Sequence, residues 1–147
     1  MSDEFYADIT FRKADIEKNP RLKKALDAEF GEGAGKEYSN GIVMFGNSYA
    51  LNGEFCGIEE LAQALAVPFN RHSEGFFDIE PENVYFRPGE GLIHETIDHD
   101  GEPTVPLSDI KQMLVCKKDD ASLRRALEAM VADHEVEPLE RISVPSL

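Results

Sequence analysis

Tryptophan is missing from this sequence, cysteine occurs only twice, and 15 Lys and Arg face 29 Asp and Glu. Each shortage narrows the reading. Without tryptophan a common sugar-stacking group is gone. The two cysteines, Cys56 and Cys116, lie far apart and allow at most one disulfide, which a reducing cytosol disfavours. Cys56 stands at an expected helix start in "EFCGIEE", where a thiol can become reactive, but it has no histidine near it in sequence. It reads as a small buried or capping residue. No apolar run approaches the ~20 residues that span a bilayer. The start, "MSDEFYADITFRK", has acids where a signal peptide has bases, and no apolar segment follows. The chain is therefore expected in the cytoplasm. Repeats, linkers and low-complexity tracts are also lacking.

What remains is a charged, moderately apolar chain. At 147 residues it suits one domain, and such a length buries roughly two thirds of its unfolded surface without a metal or disulfide staple. The formal net charge is −14, and it is unevenly spread. Residues 1–30 and residues 111–147 each carry seven acids and six bases. Residues 31–110 carry fifteen acids and three bases, a net of −12. A field of that sign repels nucleic acid and anionic membranes and attracts basic partners.

"FYADITFRK" alternates apolar Phe5, Ala7, Ile9 and Phe11 with polar residues, the period of a half-buried strand. Asn19 is a candidate cap and Pro20 fits a first helical position. Leu22, Ala25, Leu26 and Phe30 follow at helical spacing, and Gly31 stops them. "GEGAGKEYSNG" reads as a loop. "GIVMFGN" and "SYALNGEF" read as strands with a turn at Asn47–Ser48, and Asn52-Gly53 marks another turn. "GIEELAQALAV" is a helix ended by Pro68. "GFFDIEP", "VYFR" and "GLIHETIDH" read as consecutive antiparallel strands, and Asp100-Gly101 closes a hairpin in which His99 faces Glu102. Pro103 restricts the returning strand. Ser108 is read as the cap of "DIKQML", and Asp119 or Asp120 opens a last helix. Leu123, Ala126, Leu127, Met130 and Val131 are expected to form its core stripe. "LERISV" is read as a final strand. Strands and helices without regular alternation predict a single α+β domain over residues 1–147. Its expected architecture is an antiparallel β-sheet with helices packed mainly on one face.

The first chemical candidate is "IHETIDHDGE". His94 and His99 are five apart, which places them about 140° apart on a helix and on opposite faces of a strand. His94 and Asp98 would be ~13 Å apart along a strand, too far to share one ion. A metal site would need His72 or His134 as well. "GEGAGK" fails as a phosphate loop because Phe30 and Glu37 occupy positions that need Gly and Ser or Thr. A nucleophile motif of the G-x-S-x-G type is absent. Paired carboxylates such as Glu59–Glu60 are expected by chance in so acidic a chain. Basic clusters occur only on expected helices, at Arg21, Lys23 and Lys24 and at Lys117, Lys118, Arg124 and Arg125, diluted by acids.

The constellation that survives is acidic: Glu74, Asp78, Glu80, Glu82, Glu90, Glu95, Asp98, Asp100 and Glu102, with Phe76, Tyr85 and Phe86 between them as candidate anchors. Spaced carboxylates on a rigid sheet can imitate a phosphate array. The expected function is that of a non-enzymatic, stoichiometric inhibitor. It would occupy the basic nucleic-acid-binding surface of a defence or DNA-processing complex, in the manner of anti-CRISPR or anti-restriction proteins of mobile elements. The expected partner is a basic protein; direct nucleic-acid binding, membrane binding, metals and cofactors are not expected, and the oligomeric state is left open. An immunity or antitoxin-like protein neutralising a basic toxin uses the same physics. A small metal-dependent enzyme built on His94 or His99 is the alternative from another class.

Overall fold

The computed structural model describes residues 3–117 and 119–142. It is an α+β fold whose six strands form one antiparallel sheet. In chain order the elements are β1 (Glu4–Arg12), α1 (Lys13–Lys18), α2 (Pro20–Phe30), β2 (Lys36–Glu37), β3 (Ile42–Leu51) and α3 (Cys56–Ala64). Then come β4 (Phe69–Ser73), β5 (Glu82–Arg87), β6 (Gly91–Thr96), α4 (Leu107–Cys116), α5 (Asp120–Asp133) and a 3-10 turn at Leu139–Arg141. The strands lie side by side in the order β2-β3-β1-β4-β5-β6. No helix among the described residues is long and apolar enough to cross a membrane.

β1 is central because its alternation is clean. Phe5, Ala7, Ile9 and Phe11 are buried on the face that receives Leu22 and Leu26 of α2 and Ile58 and Ala62 of α3. Phe69 of β4 lies between Phe11 and Phe86, with ring centroids 6.0 and 5.7 Å away. Each such ring, withdrawn from water, stabilises the fold by roughly 1.5–3 kcal/mol. The other face of the sheet carries the polar half of the alternation. There the C-terminal segment is held by two buried arginines. Arg12 pairs with Asp15 and donates to the Ile142 carbonyl, while Arg87 donates to the carbonyls of Phe69, Phe86 and Glu137. Leu139 is buried beside β1.

Several local expectations are corrected. Residues 42–51 form one strand, not two joined by a turn. Between Phe5↔Ala50 and Ala7↔Asn47 the register shifts, so Ser48 and Tyr49 oppose the single residue Tyr6, which is a bulge. β4 falls in a stretch with no expected strand, whereas the expected strand at "GFFDIEP" is a tight turn. The glycine-rich loop contains the short β2. Asn19 donates to the Asp15 carbonyl instead of capping α2, and α4 starts at Leu107, ahead of Ser108, without a side-chain cap. Asp119 does cap α5, accepting from the Ser122 N–H. The stripe on α5 is not core. No residue of α4 or α5 is buried, and Leu127 and Val131 are exposed. "LERISV" is a 3-10 turn over Leu139–Arg141 followed by Ile142, and its last two residues lie outside the described residues.

The end of α3 offers one test. Ala66 takes φ +55, the Val67 N–H donates to Ala62 and the Ala66 N–H to Gln63, the bonds of a Schellman cap. That position normally holds glycine because a Cβ is strained there. Ala66→Gly should therefore raise the unfolding free energy by about 0.5–1 kcal/mol, readable as a shifted denaturant midpoint.

Candidate functional site

Antiparallel pairing sets where the acids gather. Ser73 at the end of β4 pairs with Glu82 at the start of β5, which pairs with Thr96 at the end of β6. The 74–81 connection and the hairpin after β6 therefore leave from one end of the sheet. Glu74, Asp78, Glu80, Asp98, Asp100 and Glu102 are exposed there. The start of β1 reaches the same end, since the Glu74 N–H donates to the Tyr6 carbonyl. Asp3 and Glu4 therefore join the group, a contribution that the near-neutral sum over residues 1–30 conceals. Across residues 37–110 the only Lys or Arg side chains are Arg71 and Arg87, and both are buried. Apart from Glu37, which follows Lys36 and pairs with Lys13, the exposed carboxylates of that stretch have no lysine or arginine next to them in sequence.

The 74–81 connection is built tightly. Phe76 and Ile79 exchange two backbone hydrogen bonds of 2.9 Å around Phe77 and Asp78. A Cβ on Gly75 would lie 2.4 Å from the Ile79 carbonyl oxygen, so glycine is required there. Phe77 sits at φ +49 and is 89% exposed. An L-residue in that region is strained, and a large apolar ring held out in water gains little in return. Phe76, Phe77 and Ile79 line one wall of a groove of about 660 Å³ whose other wall includes Ile97, Asp98 and His99.

The hairpin differs from its expected form. Asp98, not His99, stands opposite Glu102, because the Asp98 N–H donates to the Glu102 carbonyl. Gly101, at φ +84, takes the left-handed place that completes a longer loop through His99 and Asp100. The Asp98 carboxylate accepts from the Asp100 and Glu102 N–H groups, so part of its capacity maintains the turn.

Three expected contact residues stand apart. Glu95 is buried on the polar sheet face, where it accepts from the Tyr85 hydroxyl at 3.3 Å and meets His134 at 3.1 Å. It is unavailable to a partner, because its position in the strand points it to a face that α5 and the C-terminal segment approach. Glu82 is half-buried, 3.3 Å from Arg71 and 3.6 Å from His94. Glu90 is exposed in the turn between β5 and β6, at the opposite end of the sheet. Of the candidate anchors, Phe86 is core and Tyr85 half-buried, leaving Phe76 with its neighbour Phe77.

Arg71 fixes the site from beneath. It points toward α3, donates to Glu59 at 2.9 Å, to the Gly53 carbonyl at 2.8 Å and to Glu82. Glu59 also accepts from the Phe55 N–H at the start of α3. One buried guanidinium thus ties α3, the turn after β3 and the first residue of β5 together.

A polar ladder on the other face was not legible, since β4 was not. Asp8 pairs in register with His72, whose Nδ1 lies 3.0 Å from Asn83 Oδ1. Burial raises the Asp8 carboxyl, opposed by His72 and the Tyr6 hydroxyl. Tyr6 is pushed up to about 12, first by burial and then by Asp8. His94 lies on the other side of the sheet and His99 at the loop tip. Among the described residues no three His, Cys, Asp or Glu side chains are placed to hold a metal ion. Cys56 is exposed rather than buried, and its hydrogen bond to Glu54 raises the thiol, which disfavours the reactive thiolate.

No protein-family model matches the sequence, no curated protein matches it, and no solved structure matches it.

Proposed function

We propose that this chain is a non-enzymatic binding protein that acts through the acidic end of its sheet. The partner is a basic protein surface, of the kind that handles nucleic acid, and the protein occupies it stoichiometrically in place of the phosphate backbone. The observation that carries this reading is the exclusion of exposed Lys and Arg from residues 37–110 while Glu74, Asp78, Glu80, Asp98, Asp100 and Glu102 gather at one end of the sheet. Mixed charge serves solubility as well as single-sign charge does. A one-signed field steers a basic partner and sets orientation.

Phe77 supports the same reading. A strained, exposed aromatic ring among carboxylates is a candidate central anchor, with charge as its rim. Phe77→Gly should separate the two roles. It should stabilise the free protein by about 0.5–1 kcal/mol and weaken partner binding about tenfold or more, by chemical denaturation and titration respectively. Unchanged binding would remove Phe77 from the contact.

The direct test is capture from the native cell on immobilised protein at about 50 mM and about 500 mM salt. The expected result is a basic nucleic-acid-binding protein or complex retained only at the lower salt. Recovery that ignores salt would overturn the electrostatic reading.

A further inference from the structure

We infer that β6 is an open docking edge, which takes an extended, basic peptide segment of another protein as an added strand. β6 is the last strand of the sheet and has β5 on one side only. The Ile97 N–H donates to the Pro81 carbonyl, on the β5 side. The Thr96 carbonyl instead accepts from the Thr104 N–H, so the backbone groups of Thr96 face away from β5. Antiparallel strands repeat this alternation every two residues, so the N–H and C=O of Leu92 and His94 also face outward. Among the described residues no backbone hydrogen bond reaches them from that side. The returning segment of the chain covers only the end of β6. It pairs at Pro103 and Thr104, and then Val105 and Pro106 lead into α4.

Sheet edges that stay in water usually carry lysine, proline or a bulge, which discourage further pairing. β6 has none of these. The opposite edge strand, β2, is two residues long and includes Lys36. The space beside β6 suits an extended backbone with side chains. A groove of about 530 Å³ borders His94 and Thr96 and lies between them, α4 and α5. Met113 of α4 and Ala126, Ala129 and Met130 of α5 supply its apolar wall. Alternate side chains of an added strand can rest there, and thioethers adapt to varied shapes. Asp109 and Asp133 also line the groove, and no Lys or Arg does. Charge complementarity therefore selects a basic segment. A second copy pairing edge to edge would instead bring a net charge of −14 to a chain of the same charge.

Amide hydrogen exchange of the full chain, read by NMR, tests this. The probe is a capped synthetic peptide of alternating arginine and valine, about seven residues long. In the free protein the Leu92 and His94 amides should exchange at least about tenfold faster than those of Ile93 and Glu95, which face β5. Saturating peptide should slow them at least about tenfold. His94→Pro removes one outward N–H and leaves the β5 ladder alone, a place where a strand tolerates proline. It should weaken peptide binding about tenfold or more, whereas His94→Ala, which keeps the N–H, should stay within about threefold. Methylating alternate amides of the peptide should cost as much on the unaltered protein, because charge and side chains are kept and only donors are lost. Protected Leu92 and His94 amides in the free protein would overturn the proposal; protection that rises with protein concentration would give the edge to a second copy. A peptide that leaves both amides unprotected overturns it too. So does equal binding by His94→Pro and His94→Ala, or undiminished binding of the methylated peptide, either of which would reduce the association to charge alone. The exposed carboxylates at the acidic end of the sheet are neither altered nor read in this test, so its failure leaves their role open.

Discussion

Replacing Arg71 with alanine should lower the unfolding free energy by about 3–5 kcal/mol, a loss visible in urea or thermal denaturation. Arg71 is 3% exposed and serves Glu59, Glu82, Ser73 and the Gly53 carbonyl at once. Removing it leaves the Glu59 carboxylate, itself buried, with only the Phe55 N–H, and leaves the Gly53 carbonyl without its donor. An uncompensated charge inside the protein costs more than the pair gains, so the single substitution overstates what the pair contributes. The companion variant makes the point. Arg71→Met with Glu59→Gln removes both charges, keeps an acceptor for the Phe55 N–H and should recover at least half the loss. If the double variant is no better than Arg71→Ala, the cost lies in packing and not in an unpaired carboxylate.

The second large effect concerns binding. Reversing Asp78, Glu80, Asp100 and Glu102 to lysine should weaken association with the captured partner by about a hundredfold or more at physiological salt, mainly through a slower on-rate. All four are exposed, and among the described residues their side chains make no hydrogen bond or ion pair. Stability should stay within about 0.5 kcal/mol of the parent. Asp98 is left alone, because its carboxylate maintains the hairpin turn. Normal binding by the reversed protein would mean that another surface is used.

How far the sequence could be read follows from what each element pairs with. β1, α2 and β5 were legible because their periodicity comes from one face meeting the core, and β6 because the Asp100-Gly101 turn signal follows it, although none of its apolar residues is buried. β4 was not. Its inward residues are Phe69, Arg71 and Ser73, and the arginine breaks the apolar period because its partner Glu59 sits on a helix twelve positions earlier. The stripe on α5 was legible as apolar, but periodicity says nothing about what covers it. The acidic character was visible in the charge sum. Its geometry was not, since it depends on the ends of β1, β4, β5 and β6 meeting. Glu95 was misplaced for the same reason: its partner His134 is 39 residues away in sequence. Phe77 looked like half of an alternating strand, and only its backbone angle marks it as a turn residue held against its preference.

The central claim concerns where charge lies rather than how much there is. Two variants of equal net charge isolate it. One reverses Asp78, Glu80, Asp100 and Glu102 at the acidic end. The other reverses Glu17, Glu37, Glu90 and Glu140, which are exposed elsewhere. Low-salt capture should fail with the first variant and persist with the second. Equal loss in both, or loss only in the second, would contradict an acidic docking surface at this end of the sheet.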